Sequence, residues 1–239
     1  MSRLSFDDFA LHQAAFEVRF DDAFLVWDRS GSVWKQVIAI YKDLKATHVE
    51  PSKVLFERRG DHELQLGLET RRLGVAGMRP DSRLAEFGRV VSQFAEIAAR
   101  TLEIETFSRV GLRVGFAKEF DDRVAAADAL LTTGIVNLPS EQVFGLASPA
   151  IEPEISLRKE DDNNGFSLRL KAETTRLEFT PTFGLPSLVK TDTVVQNRVY
   201  LDVDYYIHAP VEATKMYFED WIVQSFHIIR RDSRKFLGD

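Results

Sequence analysis

Hydrophobic and polar residues alternate with a period of two over many short stretches of this chain. Phe16-Glu17-Val18-Arg19-Phe20 and Arg109-Val110-Gly111-Leu112-Arg113-Val114-Gly115-Phe116 are the two strongest. The same period marks Val54–Arg58, His62–Thr70, Leu73–Met78, Ile155–Lys159, Phe166–Ala172, Leu177–Phe179 and Val199–Ile207, and it predicts β-strands. Between His62 and Thr70, for example, Leu64, Leu66 and Leu68 alternate with Gln65 and Glu69. Elsewhere the period lengthens to that of a helix. Val33, Val37, Ile40, Tyr41 and Leu44 predict a helix with Ser32 as its N-cap, and Leu84, Phe87, Val90, Val91, Phe94, Ile97 and Ala98 predict a long one opened by Pro80-Asp81-Ser82. Arg123–Leu131 reads as a short alanine-rich helix. Pro210 is expected to open a last one, with Tyr217, Phe218, Trp221, Ile222, Ser225, Ile228 and Ile229 as its apolar stripe. Arg59-Gly60-Asp61 and Asp161–Gly165 have the composition of hairpin turns.

The order of these elements is expected to occur twice. Each of the two leading strands runs into a Phe-Asp-Asp step, Phe20-Asp21-Asp22 and Phe120-Asp121-Asp122, and a helix follows in both places. Strand, helix, further strands and a long helix then complete each half. The expectation is an α+β fold in one domain, made of two fused repeats at about 10–105 and 106–237 and related by a pseudo-twofold axis. Their strands would form a broad antiparallel sheet with the long helices on one face. Two segments depart from the pattern: Thr132–Pro153, read as a covering or gating loop, and Pro181–Gln196, read as a long connection.

Alternation assigns faces. With Phe16, Val18, Val110, Leu112, Val114, Leu201 and Val203 turned inward, the opposite face carries Glu17, Arg19, Arg109, Arg113, Asp202 and Asp204. Acids on one strand and arginines on others pair well across a sheet, so a salt-bridge lattice is one reading of this face. The other reading is a binding face, because the planar guanidinium fork recognises carboxylates in a bidentate way. Gly111 and Gly115 lie on the same face, where a missing side chain points to a close approach or to room for something large. An alternative chemistry would use Asp202 and Asp204, with Glu17, to hold a divalent cation for hydrolysis.

Composition narrows the classes. The chain has 239 residues, 44% of them hydrophobic, with 18 phenylalanines, an ordinary globular balance. A net charge of −6 disfavours nucleic acid, which needs a basic surface. With no cysteine, disulfides, thiolate metal sites and thiol nucleophiles are excluded. No signal-like or membrane-spanning apolar run occurs, and a soluble, cytoplasmic location is expected. His12, His48, His62, His208 and His227 are scattered without metal-ligand spacing, and no phosphate loop or nucleophile elbow is found. Arg230, Arg231, Arg234 and Lys235 complement the end of the last helix.

Three motifs together resemble a sporadically distributed family of uncharacterised bacterial proteins of about this length. They are Glu17-Val18-Arg19-Phe20, Arg109-Val110-Gly111-Leu112-Arg113 and Leu201-Asp202-Val203-Asp204. The departure is Val114-Gly115-Phe116, where the family pattern continues as Tyr-Ile-Asn. The resemblance implies no activity, and its patchy distribution looks like that of accessory or defence-type genes. The reading that emerges is a noncatalytic binding protein without a cofactor. It would hold a protein segment or a small acidic ligand on its charged sheet face, and homodimerisation is a further option.

Overall fold

The computed structural model describes residues 4–58, 63–80, 84–135, 151–179 and 192–238. In chain order, the first half contains β1 (Ala10–Arg19), α1 (Leu25–Ile40), β2 (Lys45–Glu50), β3 (Lys53–Arg58), β4 (Leu64–Glu69), β5 (Arg72–Met78) and α2 (Ala85–Leu102). The second contains β6 (Thr106–Phe107), β7 (Arg109–Phe120), α3 (Arg123–Leu131), β8 (Glu154–Glu160), β9 (Asn164–Phe179), β10 (Asp192–Ile207), β11 (Val211–Glu212) and α4 (Phe218–Leu237). Nine strands form one antiparallel sheet in the order β2-β3-β4-β5-β1-β7-β10-β9-β8, and β6 pairs with β11 beside it. The fold is therefore α+β, as the alternation predicts.

All four helices contribute to one core with one face of the sheet. Phe16 and Val18 of β1, Leu112 and Val114 of β7, and Leu201 of β10 lie in the same buried cluster as Val33 of α1, Phe94 of α2, Leu130 of α3 and Ile222 of α4. Rings lock the contact: Phe218 meets Phe16 and Phe107 edge-on at centroid distances of 5.5 and 5.6 Å. The other face of the sheet carries no helix among the described residues.

β1 and β7 lie antiparallel at the middle of the sheet, with Glu17 opposite Gly111 and Val18 opposite Val110. The two Phe-Asp-Asp steps, however, do different work. Asp122 caps α3 by accepting from the backbone N–H of Val124 and Ala125, both at 2.8 Å. Asp22 instead forms a bidentate pair with Arg71, at 2.6 and 2.7 Å, and α1 has no side-chain cap.

Several boundaries differ from the sequence expectation. The first helix starts at Leu25, so Ser32 is interior to it and Asp28-Arg29-Ser30-Gly31-Ser32 is helical. Tertiary contacts override the weak propensity of that stretch. Arg29 donates to the Thr101 carbonyl and to Glu103, and Gln36 donates to the Thr101 hydroxyl, which ties α1 to the end of α2. Pro210 opens no helix: Val211 pairs with Phe107, and α4 begins only at Phe218. β9 is a single strand, because its backbone pairing with β10 continues through the polar stretch 173–176. β2, exposed throughout, has no apolar period and exists through its pairing with β3. Of the segment 132–153, residues 136–150 lie outside the described ones, as do the turn 59–61, residues 81–83, His62 and residues 180–191 of the expected connection; 192–196 belong to β10.

Candidate binding face of the sheet

Register brings the expected residues together. Asp204 lies opposite Arg113 and Asp202 opposite Gly115 on the β7–β10 ladder, while Arg19 lies opposite Arg109 on the β1–β7 ladder. The ion pairs run diagonally. Arg109 donates to Asp204 Oδ2 at 2.7 Å and to Glu17 Oε1 at 3.4 Å, and Arg19 holds the same Glu17 oxygen at 2.7 Å. Arg113 grips Asp202 with two nitrogens, one of them at 2.8 Å from Oδ1. All six residues thus lie in a lattice on the helix-free face made of two groups, Arg19–Glu17–Arg109–Asp204 and Arg113–Asp202. Its members differ in exposure: the Arg109 side chain is 18% exposed, that of Arg113 55%.

The room above the glycines is taken by the chain's own side chains. A Cβ on Gly111 would lie 2.6 Å from the Arg109 guanidinium. One on Gly115 would lie 1.9 Å from the Tyr200 hydroxyl, and one on Gly165 would lie 2.6 Å from the Tyr206 ring. Arg109 stacks on Tyr206 at 4.6 Å, and Tyr206 donates to Glu160. Arg198 stacks likewise on Tyr200 at 4.6 Å and donates to Glu173, which also pairs with Lys171. The bulge at His12 lets that ring reach Arg198 Nη1 at 3.1 Å while Gln13 keeps to the same face.

These contacts set the protonation behaviour. Burial raises the Asp204 carboxyl above its ordinary value, against the pull of the Arg109 charge. The Tyr200 hydroxyl is pushed up to about 12, by burial first and then by the Asp202 charge. Burial also works to raise Glu173, but hydrogen bonds from Lys171 and Arg198 outweigh it and hold that carboxyl low. His12 is lowered by burial and then by Arg198 beside it.

Sequence reasoning missed Tyr200, Tyr206, Arg198, Glu173 and His12 as parts of this face. The first two were within reach of it: Tyr200, Asp202, Asp204 and Tyr206 fall on one side of a strand of period two. The pairing Arg198–Glu173 needs the β9–β10 register, which no local pattern carries.

A cation site built from Glu17, Asp202 and Asp204 does not form. The Arg109 guanidinium stands between Glu17 and Asp204, Arg113 occupies Asp202, and no three acidic or histidine side chains among the described residues converge on one point. The basic residues of α4 are engaged within the chain: Arg231 and Lys235 with Asp232, Arg234 with Asp7, and Arg230 against the Phe226 ring.

One part of the face is bare. A single row crosses the sheet as Leu55, Gly67, Gly74, Glu17, Gly111, Tyr206, Gly165 and Glu160. Side chains cover Gly111 and Gly165, whereas a Cβ on Gly67 would meet only Leu55, at 3.7 Å. A depression of about 310 Å³ lies there, floored by Gly67, Gly74, Ala15 and Ala76, with Arg72, Lys53, Glu69 and Glu17 along one side. No protein-family model matches the chain, and no curated protein is significantly similar to it. No helix of the described residues is long and apolar enough to cross a membrane.

Proposed function

We propose that this chain is a noncatalytic binding protein that holds an acidic protein segment on the helix-free face of its sheet. The observation that carries the reading is the contrast along one row of that face. Toward β7, β10 and β9 the glycines of that row, Gly111 and Gly165, are filled by Arg109 and Tyr206. On the β4–β5 side the floor is open, and Arg72, 53% exposed, borders it. The lattice is then the rigid support, and the depression beside it takes the guest. Guanidinium and ammonium groups held in place by Glu17 and Glu69 lose little entropy on meeting a carboxylate. A hydrolase using Asp202, Asp204 and Glu17 has no such support, because arginines already neutralise all three acids.

The test uses Gly67→Val. A branched side chain suits a strand, and its Cβ meets only the tip of Leu55, so the variant folds with its depression filled. Random peptides displayed on phage are selected against the intact chain and titrated against both proteins. The expected result is a set of acidic peptides that bind Gly67→Val and Arg72→Glu at least tenfold more weakly. A panel of short dicarboxylates, titrated by calorimetry, separates a small-ligand site from a peptide site. Peptides that bind the two variants as well as the parent, or no enrichment at all, would remove the proposal.

A further inference from the structure

The outer face of α1 carries a stripe that nothing among the described residues uses. Phe24, Trp27, Asp28, Gly31, Trp34 and Lys35 lie within about 120° of the helix circumference, and all are exposed. Two of the chain's three tryptophans are therefore on the surface of one helix, 57% and 37% exposed, with Phe24 at 65%. Phe24 and Trp27 already hold each other edge-to-face at 6.1 Å. Isolated exposed apolar residues need no explanation, but aligned aromatics of this size are the composition of an interface centre.

Gly31 sharpens the point. It stands mid-helix, where glycine costs about 1 kcal/mol against alanine, and a Cβ there would meet nothing within 4 Å. No packing among the described residues calls for its smallness. A second backbone crossing at that point would. The charges beside the stripe indicate which one. Asp28 and Lys35 are two helical turns apart, about 10 Å along the axis, too far to pair with each other. Neither has an ion pair among the described residues.

We infer that the chain forms a twofold homodimer through α1, the two copies crossing antiparallel at Gly31. In that arrangement residue 31 − n faces residue 31 + n of the second copy, the self-complementarity an isologous contact requires. Trp27 then faces Lys35 of the second copy, and Phe24 faces its Ile38. Asp28 comes within one position of the same lysine. The stripe thus meets its own complement in charge. The three rings expose about 350 Å² per chain. With the polar flanks, the two copies together bury about 1,200 Å², at the lower end of specific interfaces. Association is therefore expected to depend on concentration in the micromolar range.

Sedimentation equilibrium of the full chain from about 1 to about 200 µM reads this directly. The apparent mass is expected to climb from 27.2 kDa toward twice that value, with a blue shift of the tryptophan emission over the same range. Trp27→Glu with Trp34→Glu, both surface positions that leave the core untouched, is expected to weaken association at least tenfold. Asp28→Lys alone should do the same, and adding Lys35→Asp should restore the dimer. Because the chain has no cysteine, Gly31→Cys supplies a single thiol at the crossing point. It should give a disulfide-linked dimer on mild oxidation, whereas Ser156→Cys should not. A monomer at every concentration, a dimer indifferent to the tryptophan substitutions, or a double charge swap that fails to restore association would overturn the inference. Gly67→Val should leave the dimer unchanged, so this result and that of the peptide selection stand apart.

Discussion

Arg109→Met is expected to destabilise the protein by about 2–3 kcal/mol at neutral pH. The guanidinium donates to Asp204 at 2.7 Å, a charged hydrogen bond whose loss costs about 1.5–3 kcal/mol. It also stacks on Tyr206 at 4.6 Å, about 0.5–1 kcal/mol at a partly screened site. Glu17 suffers less, since Arg19 still holds it at 2.7 Å, and methionine preserves the packing of the aliphatic stem. Side-chain exposures of 18% for Arg109 and 27% for Asp204 place the pair between a surface bridge and a buried one, hence a figure below that for a fully buried pair. The pH dependence has a defined sign. Asp204 already has a folded-state pKa above its ordinary value, and removing Arg109 lifts it further. A carboxyl of that kind binds its proton more tightly in the folded than in the unfolded state, so its ionised form costs stability above the folded pKa, and the cost is relieved as pH falls through it. The loss in Arg109→Met should therefore shrink as pH is lowered from neutral toward the ordinary carboxylate pKa of about 4. Urea unfolding across that range measures it, with a fall in Tm of roughly 5–10 °C as a check. Asp204→Asn added to Arg109→Met should recover much of the loss. A change below about 0.5 kcal/mol, the size of an exposed pair, would show that the lattice is solvated and that Arg109 braces nothing.

Gly115→Ala places a methyl group 1.9 Å from the Tyr200 hydroxyl and should cost about 1–3 kcal/mol, read as a lower urea midpoint; in a Tyr200→Leu background the same substitution should cost far less. His12 is held neutral in the fold, so its contribution is present above its ordinary pKa near 6.5 and is lost as pH falls below that value. His12→Gln should flatten the slope of stability between about pH 7.5 and pH 5.5, and an unchanged slope would assign the dependence to other groups.

The strands that build the site were largely legible beforehand because burial on one face imprints a period of two. Glu17, Arg19, Arg109, Arg113, Asp202 and Asp204 fall on one face because the alternating core residues between them leave no choice. What failed were elements whose reason is not burial. β2 and the polar run of β9 exist through backbone hydrogen bonds to a neighbour, which any side chain permits. Residues 28–32 have the composition of a turn, yet they are helical because Arg29 and Gln36 are held by the end of α2.

The meaning of the glycines divides the same way. The amino-acid sequence by itself determined the class of fold, the central pair of charged strands, and the face on which Gly111 and Gly115 leave a gap. Only the tertiary structure decided what enters each gap. Arg109 folds back over Gly111 within its own strand, and Tyr200 reaches Gly115 from β10, while Gly67 and Gly74 stay open because the long side chains around them, Glu17, Arg72, Lys53 and Glu69, pair with one another instead. Periodicity is local and survives in a linear chain. Occupancy depends on register between strands up to about a hundred residues apart, and backbone pairing sets that register without leaving a residue-by-residue mark.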